Sequence, residues 1–251
     1  MSPIENWRKI ALGENDSETL RRLGGYVFFV REASGPELLD MARDCTEKAA
    51  ELGNCDAMLD LGSHFLLGNK VPQSREKAEY WYRLAEKTAG GEVRRWPKIW
   101  RCLGNFYLYD NLPDGTVRRT DDEERLKKAH DYFKKGAEAD EPNALYALGD
   151  MYRSGRFEEK DERLAFEYYE RADDEVAYMY DESCLAICLR LGDCLMHGIG
   201  TKKDLERARK YLNVALSVGK LRVESGDGYA CRDYGEAGRL LAELDEMEKE
   251  G

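Results

Sequence analysis

Several ordinary ingredients are scarce in this chain, and each scarcity excludes a class of protein. Its 251 residues include only six prolines and three histidines. Few prolines leave long stretches free to form helices, because proline breaks a helix interior. No apolar run approaches the roughly 20 residues that a membrane-spanning helix needs, and residues 1–20 carry acidic side chains where a signal peptide has an apolar core. We therefore expect a cytoplasmic protein that binds no membrane.

The short motifs of common catalytic sites are also missing. The sequence has no Gly-x-Ser-x-Gly, no His-Glu-x-x-His and no P-loop, the patterns typical of hydrolase nucleophiles, zinc proteases and nucleotide-binding loops. Gly198-Ile199-Gly200 lacks a third glycine and follows no predicted strand, so it predicts a turn. We expect no enzyme activity, no catalytic residue and no cofactor.

Seven cysteines are present, an odd number with irregular spacing, which indicates free thiols in a reducing compartment. Only Cys184, Cys188, Cys194 and His197 combine residue types that bind metals. On one helix, Cys194 and His197 lie roughly 120–180° around the axis from Cys188. Side chains spread in this way do not close on one tetrahedral ion. We interpret them as core residues and expect no metal site.

Charge, by contrast, is abundant. Charged residues make up 35% of the chain, and its formal net charge is −11. An acidic chain repels nucleic acid, so we expect no nucleic-acid partner. The same charge would steer a basic protein or peptide towards the surface. The alternative, that the charge serves only solubility, stays open.

A Leu-Gly pair recurs five times, with an apolar residue three positions after each glycine. The glycines are Gly24, Gly62, Gly104, Gly149 and Gly192. Each pair is followed by an alanine, then a residue that is usually large four positions on, and a small residue seven positions on; the alanines are Ala42, Ala78, Ala129, Ala165 and Ala208. Positions spaced by three, four and seven share one helical face. The pattern predicts hairpins of two helices, A and B, in which the glycine makes room for a large side chain of helix B.

These repeats define the predicted organisation of an all-α chain. Residues 1–19 form a lead-in segment, residues 20–219 the repeats, and residues 220–251 a linker and a C-terminal capping helix. The approximate repeats are 20–53, 54–91, 97–140, 141–175 and 184–219. Gly53 and Gly219 are predicted to end B helices, as glycine commonly does. Thr120 with Glu123 predicts a capping box after a loop at 110–121.

The strings that carry these repeats resemble Sel1-like repeats, a branch of the tetratricopeptide-like proteins. They are residues 47–54, 77–82, 144–152 followed by Gly155, and 198–201. The resemblance covers roughly residues 20–219. It implies a right-handed α/α superhelix, or solenoid, of about five helix-turn-helix repeats.

The resemblance also implies a function. Such proteins act as non-catalytic protein–protein interaction modules, as adaptors, scaffolds or regulators, and bind a protein or peptide on the concave face that their A helices line. An immunity protein that neutralises a secreted bacterial toxin is the alternative. A hydrolase similar to the penicillin-binding Sel1-like branch is more remote, because that branch pairs cysteines eight residues apart and no two cysteines here have that spacing.

Helical geometry selects the candidate partner-binding positions. Residues three before and one, four or five after each Leu-Gly glycine point away from the interface between helices A and B. The candidates are Leu59, Ser63, Arg101, Asn105, Tyr109, Tyr146, Asp150, Arg153, Leu189, Asp193 and His197. The set includes Tyr and Arg, which are enriched at interface hot spots.

Overall fold

The computed structural model describes residues 15–29, 35–69, 71–92, 94–112, 115–176, 182–227 and 230–250, together with Lys9 and Gly13. These residues form eleven α-helices and one two-stranded sheet. The chain divides into two compact units, Met1–Asp121 and Asp122–Gly251. Each unit is described by itself.

Unit 1 contains two helix hairpins followed by a single A helix. Its elements are α1 (Ser17–Phe29), α2 (Pro36–Glu51), α3 (Cys55–Leu67), α4 (Arg75–Ala89), α5 (Pro97–Leu108), β1 (Tyr109–Asn111) and β2 (Val117–Arg119). Helix α1 packs against α2 and α3 against α4, and the contacts of α2 with α3 and of α4 with α5 join successive repeats.

Unit 2 continues the alternation and ends in an additional helix. Its elements are α6 (Glu123–Glu138), α7 (Pro142–Ser154), α8 (Glu162–Val176), α9 (Glu182–His197), α10 (Leu205–Glu224) and α11 (Ala230–Glu250). Consecutive helices pack against each other along the whole unit, and α11 contacts both α10 and α9. The A helices of the chain are α1, α3, α5, α7 and α9, and the B helices are α2, α4, α6, α8 and α10.

The recurring glycine has the role that its spacing predicts. At Gly62, an added Cβ would overlap the ring of Tyr82, and at Gly149 it would lie 2.8 Å from Cδ1 of Tyr169. At Gly192 the same atom would meet Leu212, 2.7 Å from its Cγ. Helix B therefore approaches helix A at a point where only glycine fits. The predicted all-α fold of helix hairpins is confirmed.

Hydrogen bonds end helix α2 at the predicted glycine. Gly53 has φ +86°. Its N–H donates to the carbonyl of Ala50, and the N–H of Asn54 donates to that of Ala49, the pair of bonds that defines a Schellman motif. Asn54 then caps α3 by accepting from the N–H of Ala57 at 2.9 Å. One short segment therefore closes helix B and opens the next helix A.

Two predicted helix ends are wrong. Helix α10 runs through Gly219 to Glu224. Gly219 instead allows close approach of α11, since a Cβ there would lie 3.0 Å from that of Tyr234. Helix α6 is capped by Asp122, whose carboxylate accepts from the N–H of Arg125 at 3.0 Å. Thr120 lies before the helix and is buried.

The predicted loop at 110–121 contains a β-hairpin. Strands β1 and β2 are antiparallel, with Tyr109 opposite Arg119. Side chains of the second repeat hold this hairpin in unit 1. Gln73 donates at 2.9 Å to the carbonyl of Asn111, and Arg75 donates at 3.1 Å to that of Tyr109. The hairpin is therefore an ordered extension of α5.

Helix α11 buries one apolar face in unit 2. Ala237, Leu240 and Leu244 on this face are at most 2% exposed, and the helix packs on α10 and α9. It begins at Ala230 and lies within residues 220–251, the segment for which the sequence analysis predicts a linker and a C-terminal capping helix. None of the helices in the described part of the chain is long and apolar enough to cross a lipid bilayer.

Candidate functional site

The five candidate residues of unit 1 have unequal surroundings. Leu59 is only 5% exposed, so it belongs to the packing of α3 and is not open to a partner. Ser63 is hydrogen-bonded through Oγ to the hydroxyl of Tyr82 at 3.1 Å. Arg101 and Asn105 are partly exposed on α5. Tyr109 lies in β1 and not on helix A, because α5 ends at Leu108 where the hairpin begins.

Unit 2 contains a groove of about 400 Å³ that gathers candidates from two A helices and adds residues of α11. Its lining residues are Asp150, Arg153, Leu189, Arg190, Asp193, Arg232, Asp233, Glu236 and Leu240. Leu189 and Leu240 are buried, and the other seven are charged. The groove therefore has a charged wall on each of three helices, α7, α9 and α11.

Asp150 and Arg190 form the most extensive ion pair of this groove. Nε and Nη2 of Arg190 each donate to one oxygen of Asp150 at 2.6 Å, the two-point geometry that makes arginine–carboxylate pairs strong. The hydroxyl of Tyr169 on α8 also donates to Oδ1 of Asp150, at 2.9 Å. The guanidinium of Arg190 lies 4.7 Å from the ring centre of Tyr146. Candidates Asp150 and Tyr146 are thus parts of one cluster.

A second ion pair joins the same two helices, but here the arginine is on α7 and the aspartate on α9. Arg153 of α7 donates to Oδ2 of Asp193 of α9 at 2.5 Å. The other oxygen of Asp193 lies 2.8 Å from Nδ1 of His197, and Nε2 of His197 lies 3.0 Å from Oε1 of Glu243 on α11. The structure therefore brings together all six candidates of unit 2, five of them through polar contacts and Leu189 in the floor of the groove.

The wall from α11 differs from the other two. Both oxygens of Glu236 accept from Arg239, at 2.7 and 3.0 Å. Arg232 and Asp233 make no hydrogen bond or ion pair with any residue that the structure describes. They are therefore the charged groups of the groove that remain available to an incoming partner.

The sequence analysis missed five lining residues: Arg190, Arg232, Asp233, Glu236 and Leu240. A signal for one of them exists. Asp150 and Arg153 stand three apart on α7, and Arg190 and Asp193 stand three apart on α9 in the reverse order. Such mirrored charges on successive A helices pair once the helices lie side by side. The α11 residues carry no comparable signal, because they lie outside the repeats.

The functional groups that line the groove are carboxylates, guanidinium groups and leucine side chains. Its charged side chains are largely neutralised by internal pairs, and the described lining residues include no hydroxyl, thiol, amine or imidazole. Burial raises the pKa of the Tyr169 hydroxyl behind Asp150, and the nearby carboxylate raises it further, so this group stays a neutral hydrogen-bond donor. Helix hairpins packed through a recurring glycine, with a charged groove across their A helices, define a helical repeat protein of the tetratricopeptide-like class.

Comparison with protein families makes this class specific. The model of the Sel1 repeat matches residues 17–54, 55–87, 103–141, 142–172 and 188–219. The chain therefore belongs to the Sel1 repeat family. Sel1 repeat proteins are generally protein-interaction modules.

Two curated proteins are similar to parts of the chain. One is the ERAD-associated E3 ubiquitin-protein ligase component HRD3B of Arabidopsis thaliana, 26% identical over 157 residues, which are 62% of this chain and 22% of that protein. The other is the uncharacterized protein NMB1327 of Neisseria meningitidis serogroup B, 34% identical over 90 residues, which are 36% of this chain and 18% of that protein. The matches thus span about a fifth of the length of these relatives.

Two crystal structures share the fold. The protein c5321, a protective antigen present in uropathogenic Escherichia coli strains displaying an SLR fold, has a TM-score of 0.62 at 22% identity, over 92% of this chain and 46% of its own. A Sel1 repeat protein from Oxalobacter formigenes has a TM-score of 0.56 at 20% identity, over 82% of this chain and 77% of its own. At these identities the likeness concerns the fold.

Proposed function

We propose that this chain is a non-catalytic adaptor that binds a protein partner in the groove of unit 2. The observation that carries the proposal is the groove itself, with charged walls from three helices and buried leucines at its base. A buried apolar centre within a polar rim is the general anatomy of protein interfaces. We place the protein in the cytoplasm as part of the same proposal.

The internal ion pairs support this role. Arg190 is fixed by Asp150, and Arg153 by Asp193, so these side chains have little freedom to lose when a partner arrives. Groups that are ordered before binding lower the entropic cost of association. A relative named as a component of a ubiquitin ligase also fits a protein whose task is to hold others.

We further propose that the partner presents a basic segment. The chain has a net charge of −11, which steers cations towards it. Within the groove, Asp233 is an acid without a hydrogen-bond or ion-pair partner among the described residues. A lysine or arginine of the partner would pair with Asp233 at the mouth of the groove.

The test reverses the two available charges one at a time. Asp233→Arg is expected to weaken binding of a basic partner by about tenfold, or 1.4 kcal/mol, whereas Arg232→Glu keeps or increases affinity. Lys202→Glu, an exposed position before α10, is the matched control. The partner is first captured from a lysate of the source organism and identified by mass spectrometry, and each variant is then titrated with the purified partner by calorimetry.

The outcomes separate the alternatives. Loss of binding in Arg232→Glu with retention in Asp233→Arg would mean an acidic partner, against the proposal. If Asp233→Arg and Arg232→Glu both bound the partner as tightly as the wild type, the groove would not be the binding site. A single tightly bound toxin would favour the immunity protein over the adaptor.

A further inference from the structure

One imidazole joins the C-terminal helix to the fifth repeat. Nδ1 of His197 lies 2.8 Å from Oδ1 of Asp193 and 3.1 Å from the carbonyl oxygen of the same residue. Nε2 lies 3.0 Å from Oε1 of Glu243 on α11. Ionised carboxylates accept hydrogen bonds and donate none. Both contacts are hydrogen bonds only when both ring nitrogens carry a proton, so the geometry is that of an imidazolium ion.

Among the described residues, arginines of two helices bind the two carboxylates at His197. From α7, Arg153 donates to Asp193. From α11, Arg239 donates to Glu243 at 3.0 Å. From α10, Arg209 donates to Asp245 and Glu248 of α11, so it binds other carboxylates than those of His197. Each carboxylate at His197 is thus shared with one guanidinium.

The balance of these groups favours the charged imidazole. Burial by itself lowers the pKa of His197, but the hydrogen bond to Glu243 and the contacts with Asp193 outweigh it, and the pKa is raised above 6.5. This direction agrees with the positions of the two ring nitrogens.

The contact also lies next to the groove. Helix α9 supplies Leu189, Arg190 and Asp193 to its lining, and α11 supplies the wall of Arg232, Asp233, Glu236 and Leu240. His197 ties Asp193, on one wall, to α11, which forms another. The position of the α11 wall therefore depends in part on the state of this imidazole.

We propose that His197 is a proton-dependent clasp that in its charged form fastens α11 to α9 and so holds the outer wall of the groove. A neutral imidazole donates from one nitrogen only, so deprotonation replaces one of the two hydrogen bonds with a nitrogen lone pair that faces a carboxylate, and this loosens α11. The consequence for partner binding rests on the proposed function, but the clasp itself is a property of the chain alone.

The sign of the pH dependence follows from linkage. A histidine whose pKa is higher in the folded than in the unfolded chain stabilises the fold fully below the unfolded value, near 6.5. That stabilisation is lost as the pH rises through the folded pKa. The clasp is therefore closed at mildly acidic pH and opens towards alkaline pH.

The experiment combines a proton NMR titration of the imidazoles with hydrogen exchange of α11, corrected for the intrinsic pH dependence of exchange. The chain has three histidines, so His197→Gln assigns the resonance. We expect a pKa above 6.5 that falls in Glu243→Gln. We expect the protection of α11 amides to drop about two- to fivefold across this pKa, the range that a partly exposed ion pair supports, in the wild type but not in His197→Gln.

Glu248→Gln is the matched control, because it removes a carboxylate of the same helix that binds Arg209. It should leave the titration of His197 unchanged. A pKa of His197 at or below 6.5 would overturn the proposal, as would the same pH dependence of α11 protection in wild type and His197→Gln. These measurements use no partner, so their failure is distinct from failure to bind in the groove.

Discussion

The two units use one mode of hairpin packing but join their successive A helices differently. In unit 1, Arg21 of α1 meets Asp60 of α3 through a single contact of 3.4 Å. In unit 2, Arg190 meets Asp150 through two contacts of 2.6 Å, and a second pair reinforces it. The Asp150 side chain is 14% exposed, whereas that of Asp60 is 41% exposed.

This difference distinguishes the packing that every helix hairpin requires from the ion pairs that are particular to the surface of unit 2. Glycine-centred packing between helices A and B occurs in both units, at Gly62 and at Gly149, so it forms the hairpin. The charges on the A helices are not required for that packing and are free to specialise. In unit 2 they have become a paired array beside a groove, which is why we place the interaction site there.

Removal of the Asp150 carboxylate is expected to have the largest effect and tests whether the ion pair of unit 2 is stronger than that of unit 1. Asp150→Ala leaves the Arg190 guanidinium without its carboxylate in a largely buried position, which should cost about 3 kcal/mol of unfolding free energy. Urea unfolding followed by circular dichroism measures the loss. Asp150→Ala/Arg190→Met should recover most of it, because no unpaired charge remains.

A surface acid on unit 2 provides the control for that change. Asp174→Ala, at an exposed position of α8, should alter stability by no more than about 0.5 kcal/mol. If Asp150→Ala behaved like Asp174→Ala, the array would be solvated surface charge, and unit 2 would be no different from unit 1.

Substitution of the Leu-Gly glycines should cause a loss of stability of intermediate size, and it tests the glycine-centred packing that the two units share. Gly62→Ala in unit 1 and Gly149→Ala in unit 2 both force a Cβ into a tyrosine ring, and overpacking costs about 1–3 kcal/mol. Alanine's better helix propensity returns up to about 1 kcal/mol. We expect each variant to lose about 1 kcal/mol, with similar losses in the two units.

Gly235→Ala is the matched control for the glycine variants. An added Cβ at this position of α11 has no heavy atom within 4 Å, so only helix propensity acts, and the variant should gain up to about 1 kcal/mol. Denaturation midpoints of the three variants give the comparison. A loss at Gly235 as large as that at Gly149 would mean that steric fit to tyrosine is not the reason why the Leu-Gly pair recurs in this chain.

The sequence predicts the hairpins because their determinants are local. The Leu-Gly pair and the alanine signature recur in phase, and helical periodicity places Gly149 on one face of helix A and Tyr169 on the apolar face of helix B. The end of α5 was not predicted, because the strand that begins at Tyr109 is held by hydrogen bonds from residues more than 30 positions earlier, Gln73 and Arg75. Local pattern carries no information about such anchors.

The candidate site was predictable only in part, for a related reason. Asp150 and Asp193 emerge from helical phase, but their partners are 40 residues away, and pairing depends on how successive helices are offset. Leu59 occupies the same phase as Leu189 and is also buried, because stacking of hairpins covers that side of helix A. Phase identifies the side of a helix, and packing decides what remains accessible.

The smallest expected effect belongs to the weaker pair of unit 1. The Asp60 side chain is 41% exposed, but its partial burial still raises its pKa above the usual 3.8, and the charge of Arg21 only partly opposes this. The folded chain therefore binds this proton more tightly than the unfolded chain. Such a group contributes stability below its unfolded pKa and loses that contribution as the pH rises through the folded pKa. At neutral pH the wild type therefore carries the cost of a charged Asp60.

The free energy of unfolding of Asp60→Asn should equal that of the wild type or exceed it by less than about 1 kcal/mol, and this advantage should shrink as the pH falls towards the raised pKa of Asp60. Urea unfolding at pH 7 and pH 5 measures it. A loss comparable to that of Asp150→Ala would show that the single contact in unit 1 is as strong as the double one in unit 2, and would remove the distinction between the units.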